Sequence, residues 1–582
     1  MSFVGLPVVA LALAISLVPV WLLRRPETGP LQDEFVSSQP APPALVRNAS
    51  IAYALRMSAF GPLFVWGASG DLWPAIIGAA SLALGFFLAY RLRLPLLVFL
   101  HDALRRDRSI SVHAFIARHH GDDPRIRRLA ASLTLFALLG LLVAEALGLA
   151  AVLEPLLADS AAVVYALASG ALLLTVLPAL LAGHSGVMHS AQLQLGLLYL
   201  GLFGATALLL YLHLSALTPL PPHGTLAIAL AALCSAALLW YRRSKYVDTE
   251  RIGQSRGARV LSRLAKIFNP CLSILIVLVI VIAGAEIYAA GVFDIARQAA
   301  AALSAGTRVP GLGLLSLGLL PLFYPLVDVA HWQRLAALAQ GLDARGAEPA
   351  RRTTAVRGVF AICATESALV WLFLCLLGAI AVAVIGTAEG TDALQGFVSR
   401  LVAADDGATA AVLPLLLICA FAVALSTMSA LFAAAQCTIR CDLVAADRPE
   451  QATRRTLAGS AGFGLAFAAA FGLAAATLPI RFGSGAFLAL VLAVACAQLS
   501  FAPLVLGPIG SRSRGAGAVR PAWALAILGA GAAAGAAAVV AYFATQAEAW
   551  LWAAVPACLG TGFALFAVAR RRPAGNPGDG NR

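Results

Sequence analysis

Two adjacent hydroxyl side chains, Ser426 and Thr427, lie inside a long apolar stretch of the sequence. Hydroxyl oxygens are hard ligands of the kind that small cations prefer, so this pair could contribute to a cation site. Hydroxyls in apolar helices also commonly bond back to their own backbone, which would give them a purely structural role. A ligand role therefore requires further oxygens from other segments.

Charged side chains inside apolar segments are the second group that could do chemistry. They are Arg56, Glu145, Asp328 and Glu366. A charge inside a membrane is rare and normally paired, so we expect one of the three carboxylates to be the partner of Arg56. Each carboxylate is a candidate substrate counter-ion or proton carrier. The alternative is a structural pair for Arg56 or a position beside a water-filled vestibule.

Helix-breaking residues interrupt two of the apolar segments. Gly61 and Pro62 lie in the first, and Pro321 and Pro325 lie in the second. Proline removes a backbone donor and frees carbonyls, which a membrane tolerates only where the backbone lines a cavity or is buried in protein. Two broken helices at corresponding positions of two halves point to a transporter substrate site.

Aromatic side chains flank both predicted breaks. They are Phe60, Trp66 and Tyr324, and they could close over a bound solute, although aromatic residues in apolar helices more often serve packing. We expect a substrate site between the broken segments at 56–66 and 321–328.

The composition assigns these residues to a membrane protein. The chain is 61% hydrophobic and 12% charged, with a mean hydropathy of +0.88. A membrane-spanning helix needs about 20 mostly apolar residues, and such stretches recur along the whole chain. We predict an all-α integral membrane protein with about fifteen transmembrane helices. The predicted spans are residues 3–23, 50–68, 72–95, 127–153, 161–182, 190–213, 224–241, 267–292, 312–331, 356–386, 410–437, 456–478, 484–507, 521–544 and 548–570.

The formal charge of +13 would suggest a nucleic-acid partner for a soluble protein, but the basic residues concentrate in alternate loops. Segments 91–128 and 242–266 are rich in arginine and lysine, whereas 154–160 and 214–223 carry few basic residues. By the positive-inside rule, the N-terminus lies outside and the C-terminus lies in the cytoplasm. We expect a multi-pass protein of the cell (plasma) membrane, with the lipid bilayer and no nucleic acid as partner.

The sequence lacks the motifs of common soluble enzymes. It has no phosphate-binding loop, no HExxH segment and no nucleophile elbow. Cys437 and Cys441 have the spacing of half a metal site, but no further ligand accompanies them, and packing is the preferred interpretation. We predict that the protein is not an enzyme and needs no cofactor, apart from sodium as a candidate coupling ion.

The segment Ser426–Asp442 extends the hydroxyl pair. Ser429 follows closely, and Asp442 lies sixteen positions beyond Ser426. This spacing resembles the eighth core helix of the sodium:solute symporter family, whose members have the LeuT-type fold. Three other segments resemble motifs of that family in the same order, namely SVHAFIARHHG at 111–121, GHSGVMHSAQLQ at 183–194 and DVAHWQR at 328–334. The resemblance covers roughly residues 45–510.

The resemblance implies a sodium site between the first and eighth core helices. Aligned on the segment ALRMSAF, Ala54 and Met57 would supply backbone carbonyls, and Ser426 and Thr427 would supply hydroxyls. These four residues form the expected cation site, which is also the only metal site that we predict.

Two positions depart from the family pattern. Arg56 lies between the expected carbonyl donors, where family members carry a neutral or acidic residue, and Ala191 replaces the family's Asp on the fifth core helix. Two unit charges about 4 Å apart interact by roughly 4 kcal/mol at an effective dielectric near 20. A guanidinium pointing into the site would therefore nearly abolish sodium binding.

The family's fold also implies a division of the chain, because its core consists of two inverted repeats of about five helices each. The expected units are a leading helix and cytoplasmic loop (1–49), a first repeat (50–215), two inserted helices (216–311), a second repeat (312–510), and two trailing helices with a cytoplasmic tail (511–582).

The predicted function is a secondary active transporter that moves a small organic solute by alternating access, classically sodium-coupled but with a degenerate cation site. The candidate substrate or coupling residues are Arg56, Phe60, Trp66, Tyr324, Asp328, Glu366 and Glu145. Two alternatives stay open. One is a proton-coupled or uncoupled transporter of the same fold, with Arg56 as a fixed cation, and the other is a transporter-like solute sensor that acts through an unknown membrane or cytoplasmic partner.

Overall fold

A computed structural model describes residues 41–91, 111–157, 161–216, 222–245, 256–290, 295, 297, 306–344, 349–387, 392–444, 449–478, 485–509 and 518–571. Across these residues the ordered elements are helices, and no strand is present. The predicted span at 3–23 lies outside the described residues, and within the described residues each other predicted span lies largely on one helix or on two consecutive helices.

The α-helices are numbered here in chain order. They are α1 (Pro43–Ala54), α2 (Met57–Ala68), α3 (Trp73–Arg91), α4 (Val112–His119), α5 (Pro124–Leu153), α6 (Ala161–Ala216), α7 (Pro222–Lys245), α8 (Arg256–Ala290), α9 (Gly311–Val327), α10 (Val329–Ala344), α11 (Pro349–Val384), α12 (Ala393–Val402), α13 (Gly407–Ala410), α14 (Val412–Thr438), α15 (Pro449–Thr477), α16 (Gly485–Leu499), α17 (Ala502–Ile509), α18 (Pro521–Thr545) and α19 (Glu548–Arg571).

The length of the helices and their exposed apolar side chains indicate the environment in which the protein lies. Among the described residues, ten helical segments are long and apolar enough to cross a membrane, and the pair α9 and α10, bent by 44° at a break, forms a further candidate. On α8, Ile274, Val281 and Tyr288 are 66%, 62% and 91% exposed. Apolar surface of this extent is stable in contact with lipid. The prediction of an all-α integral membrane protein is confirmed.

The core forms where α14 packs against α5 and α6, and where α11 packs against α2 and α3. Gly67 of α2 and Gly378 of α11 lie at the second contact, where a Cβ atom on either residue would collide with the backbone of the opposite helix. Small residues allow membrane helices to approach this closely. A larger side chain at either glycine would therefore force α2 and α11 apart.

The first helix break does not lie at Gly61 and Pro62, and that prediction is wrong, because both residues belong to a continuous α2. The break lies at Leu55 and Arg56, whose backbones are extended, with ψ angles of 104° and 150°. It is stabilised there because Glu145 of α5 accepts hydrogen bonds from the first amides of α2. The acceptor comes from a distant segment, so the local pattern of Gly and Pro does not reveal it.

The second break lies at Asp328, and Pro321 and Pro325 both belong to the continuous α9. The prediction that Pro321 and Pro325 interrupt the helix is therefore wrong. Asp328 has a ψ angle of 122°, and its Oδ1 accepts a hydrogen bond from the amide of Ala330 at 3.3 Å. Its side chain thus caps the start of α10, which is a favourable role for an aspartate.

Candidate functional site

The two helix breaks face each other through Arg56 and Asp328. Nη2 of Arg56 lies 3.5 Å from Oδ2 of Asp328, and the Asp328 side chain is fully buried. The other two carboxylates expected as partners accept hydrogen bonds elsewhere, Glu145 from the Met57 amide and Glu366 from the Tyr199 hydroxyl. The Arg56–Asp328 ion pair links the start of α2 to the start of α10.

Aromatic rings surround the Arg56 guanidinium. Its Cζ lies 4.3 Å from the ring centroid of Tyr53 and 4.5 Å from that of Tyr324. Arg334 of α10 contacts the same Tyr53 ring, also at 4.3 Å. Guanidinium groups are attracted to the negative face of aromatic rings, and the attraction grows when both are removed from water. Tyr53 therefore holds two cations near the breaks.

A cavity of about 130 Å³ lies beside the pair, and we call it the main cavity. Its polar lining is supplied by Arg56, Ser58, Tyr324 and His331, with the indole rings of Trp66 and Trp371. The rest of the lining consists of leucine, valine, alanine, proline and glycine residues from α1, α2, α3, α5, α9 and α16. A concave, mostly apolar pocket with a few convergent polar groups is the usual form of a small-molecule site.

A second, smaller cavity of about 20 Å³ adjoins the same helices, and we call it the small cavity. Its polar lining includes Ser50, His331, Arg334 and Cys363. His331 and Pro325 line both cavities. The His331 ring packs edge-on against Tyr53 and Phe86, at centroid distances of 5.3 and 5.5 Å. These two ring contacts hold His331 in its position at the border of both cavities.

The hydroxyl pair of α14 contacts the backbone of α1 immediately before the first break. Thr427 Oγ1 donates a hydrogen bond to the carbonyl of Leu55 at 3.1 Å, and Ser426 Oγ lies 3.4 Å from the carbonyl of Ala52. Ser426 Oγ also donates to the Val423 carbonyl of its own helix at 2.9 Å. Two hydroxyl and three carbonyl oxygens thus converge between α1 and α14. Neither Ser426 nor Thr427 lines the main cavity.

The carbonyls opposite the hydroxyls are those of Ala52 and Leu55, in place of the expected Ala54 and Met57. The Ala54 carbonyl accepts a hydrogen bond from the indole of Trp371 at 3.0 Å. The register differs by two residues because the break falls at Leu55 and Arg56. As a consequence, Arg56 follows both carbonyl donors and does not separate them, and its side chain lines the main cavity.

Glu145 caps the start of α2. Its Oε2 accepts from the Met57 amide at 2.7 Å, and its Oε1 accepts from the amide and hydroxyl of Ser58 at 3.2 and 2.8 Å. A carboxylate is favoured at a helix N-terminus, where the amide groups lack partners within the helix. Both carboxylate oxygens accept hydrogen bonds from the start of α2, which fits a structural role. Glu145 does not line either cavity.

Glu366 and Phe60 also lie away from the cavities. The Tyr199 hydroxyl donates to Oε1 of Glu366 at 2.6 Å, which joins α6 to α11. Phe60 is fully buried in the helix core. Of the expected aromatic residues, Trp66 and Tyr324 line the main cavity.

Comparison with solved structures finds proteins of similar fold. A Na+-coupled sialic acid symporter, solved in a substrate-bound outward-open state, matches 97% of this chain and 98% of its own chain, with a TM-score of 0.59 and 13% sequence identity. This chain has the fold of that symporter. No protein-family model and no curated protein matches the sequence.

Two of the segments that resemble symporter motifs meet at one end of the helix core, although they are far apart in sequence. Ser111 Oγ donates to Oδ1 of Asp442 at 2.7 Å, and His113 Nδ1 lies 2.8 Å from Oδ2. Arg127 Nε donates to Oδ1 of Asp442 at 2.9 Å. Asp442 thus ties α4 and α5 to the end of α14.

Several residues of the site are absent from the sequence-based expectations. They are Tyr53, Ser58, Val423 and Arg334. In the sequence, Arg334 is distinguished only as one charge of a basic loop. Tyrosine and serine are common in membrane helices, so Tyr53 and Ser58 give no signal of their own. Only the packing of α1, α2 and α10 brings Ser58 and Arg334 to the cavities and Tyr53 into contact with Arg334.

Proposed function

We propose that this protein is a secondary active transporter that moves a small organic solute across the membrane by alternating access, coupled to sodium. One observation carries the proposal: the paired breaks at Arg56 and Asp328 adjoin a cavity of about 130 Å³, in a chain with the fold of a Na+-coupled symporter. Broken helices that face each other across a cavity are typical of transporter sites.

The oxygen atoms at the first break support sodium as the coupling ion. The carbonyls of Ala52, Leu55 and Val423 and the hydroxyls of Ser426 and Thr427 are hard, neutral ligands in a buried position. The hydroxyls donate hydrogen bonds to these carbonyls, and on sodium binding they would rotate to present lone pairs to the cation. This donor set suits a hard cation better than a soft metal.

The position of this oxygen cluster suggests how coupling works. It joins α1 to α14 at Leu55, and the next residue, Arg56, lines the main cavity. A cation bound there would fix the geometry of the break and so favour one arrangement of the cavity. A ligand shifts a conformational equilibrium by its difference in affinity for the two states, and this contact supplies such a difference.

Arg56 itself favours a second candidate, a transporter of the same fold without sodium coupling. Its permanent charge directly follows the Leu55 carbonyl and is paired with Asp328. In that case the guanidinium takes the place of a mobile cation, and Arg56→Asn would create sodium dependence or abolish transport.

Uptake by protein reconstituted into liposomes distinguishes these candidates. Imposed sodium and proton gradients are combined with labelled solutes, including sialic acid because of the structural match. We expect accumulation that follows the sodium gradient and falls at least about 10-fold in the double variant Ser426→Ala and Thr427→Val. Ser429→Ala is the matched control, since Ser429 Oγ bonds to the Ser426 carbonyl within α14. Accumulation that ignores sodium favours the second candidate, and the absence of any uptake contradicts both.

The proposed membrane placement follows from the arrangement of basic loops. The protein is a multi-pass protein of the cell membrane, with the N-terminus outside, the C-terminus in the cytoplasm and two inverted repeats in its core.

A further inference from the structure

We propose that the solute is a small carboxylate with a mainly apolar body, bound by Arg56 in the main cavity and by Arg334 in the small cavity. This inference rests on the proposed function, because only a transporter offers both cavities to the same solute.

The two arginines near the breaks are paired unequally. Asp328 is in ion-pair contact with Arg56, and Glu145 at the start of α2 places a second negative charge near Arg56. Among the described residues, no carboxylate is in ion-pair contact with Arg334. A buried charge without a counter-ion is costly, and charges inside a membrane protein normally pair. The guanidinium of Arg334 is therefore the place for an additional anion.

Arg334 has the features of an unsatisfied binding group. It is 2% exposed and lines the small cavity, and within the described part of the chain its Nε and Nη1 have no hydrogen-bond partner. His184 of α6 lies within electrostatic range of Arg334, is 4% exposed, and has no partner for either ring nitrogen. Buried polar groups are nearly always hydrogen-bonded, so these donors indicate a ligand that completes them.

Arg56 has capacity for a ligand in the main cavity. Its contacts with Asp328 Oδ2 and the Tyr53 carbonyl are long, at 3.5 and 3.4 Å. A guanidinium binds a carboxylate most strongly through two parallel, shorter hydrogen bonds. Two short hydrogen bonds to a solute carboxylate would therefore be better formed than either of these contacts.

The apolar lining of the main cavity defines the remainder of the solute. Away from Arg56, the surface comes from side chains such as Leu82, Leu141, Leu320 and Leu492, with the indole rings of Trp66 and Trp371. Hydroxyl groups placed against such a surface would lose hydrogen bonds to water without replacement. The solute is thus an aliphatic or aromatic monocarboxylate, and a polyhydroxylated acid such as sialic acid fits poorly.

Tyr53 provides a path between the two positions. Its ring contacts both guanidinium groups at 4.3 Å and packs against His331, which lines both cavities. A carboxylate that leaves Arg56 therefore meets a second guanidinium, Arg334, that contacts the same ring. The anion therefore keeps a cationic partner throughout its passage, which avoids the cost of an unpaired charge in the protein interior.

Calorimetric titration of the full chain in nanodiscs tests the solute class without requiring transport. Hexanoate and benzoate are compared with their neutral amides, hexanamide and benzamide, and with acetate and sialic acid. We expect hexanoate or benzoate to bind at least about 10-fold more tightly than its amide and than acetate. Amides that bind equally well, acetate or sialic acid that binds more tightly, or no binding by either larger carboxylate would overturn the proposal.

Variants of the two arginines test their assignment. Arg56→Gln should abolish the preference for carboxylate over amide, whereas Arg308→Gln, a control on an exposed arginine, should leave it unchanged. Arg334→Gln removes a buried charge that has no ion-pair contact among the described residues, so we expect a higher unfolding temperature of the ligand-free protein and slower uptake. Arg334→Lys keeps the charge and should retain part of the uptake. A lower unfolding temperature with uptake unchanged in Arg334→Gln contradicts the second position.

The two proposals fail in different ways. Selective carboxylate binding without uptake into liposomes would contradict the transporter function and leave the anion site intact. Sodium-driven uptake of a neutral solute would confirm the transporter function and contradict the anion site.

Discussion

Arg56 and Asp328 occupy the two helix breaks, and their side chains meet at 3.5 Å, so that each break is held in place by the other. Asp328 also caps α10 through the amide of Ala330. The pair is both a structural link and the polar end of the main cavity.

This pair predicts strong energetic coupling between the two positions. Removal of one partner leaves the other charge buried and unpaired, at a cost of about 3–5 kcal/mol. We expect Arg56→Gln and Asp328→Asn each to lower the unfolding temperature clearly, and the double variant to lower it by less than the two effects together. Thermal unfolding in nanodiscs measures this, and strictly additive shifts would show that the two side chains are independent.

The cap on α2 predicts a stability role for Glu145 that is independent of solute binding. Glu145→Ala leaves three donors of Met57 and Ser58 without their acceptor, at about 1–3 kcal/mol for each buried group. Glu145→Gln retains one acceptor oxygen and should be intermediate. Glu548→Gln, at an exposed helix start, is the control. A stable Glu145→Ala protein that has lost only its coupling to an ion would instead assign Glu145 to the transport mechanism.

His120, in the loop after α4, predicts a pH dependence of stability. The Val519 amide donates to its Nδ1 at 3.0 Å, and Nε2 is 3.0 Å from the Leu504 carbonyl, so the neutral ring with a proton on Nε2 satisfies both contacts. Burial lowers the pKa of His120 below its ordinary value. Its contribution is present above the unfolded pKa of about 6.5 and is lost as the pH falls below that value.

The corresponding measurement is the unfolding temperature between neutral and acidic pH. We expect the decrease on acidification to be smaller in His120→Gln than in the parent protein, whereas His223→Gln, at an exposed histidine, should follow the parent. Identical pH profiles for all three proteins would rule out a role for His120.

The membrane class and the order of the helices follow from the sequence because apolar length is a local property. Every predicted span within the described residues lies largely on one helix or on two consecutive helices, including the two halves of α6, which separate at Gly183 with a φ angle of 58°. Helix-breaking residues also identified the two segments that break, 50–68 and 312–331.

The positions of the breaks could not be predicted, because they depend on side chains from distant helices. Glu145 stabilises the break before Met57, although Gly61 and Pro62 are the local breakers. This displacement also shifts the carbonyls opposite α14 from Ala54 to Ala52 and Leu55. The role of Arg334 emerges only from its contact with Tyr53 across the fold.

Alternating access itself can be measured without knowledge of the solute. Cys363 lines the small cavity, and Leu320 lines the main cavity, so thiols at these positions report on the two cavities separately. One protein keeps Cys363 with the other eight cysteines replaced, and a second is cysteine-free with Leu320→Cys. We expect sodium to change the rate of labelling by a water-soluble maleimide in opposite directions at the two positions. Rates that rise or fall together, or that do not respond to sodium, would contradict the account.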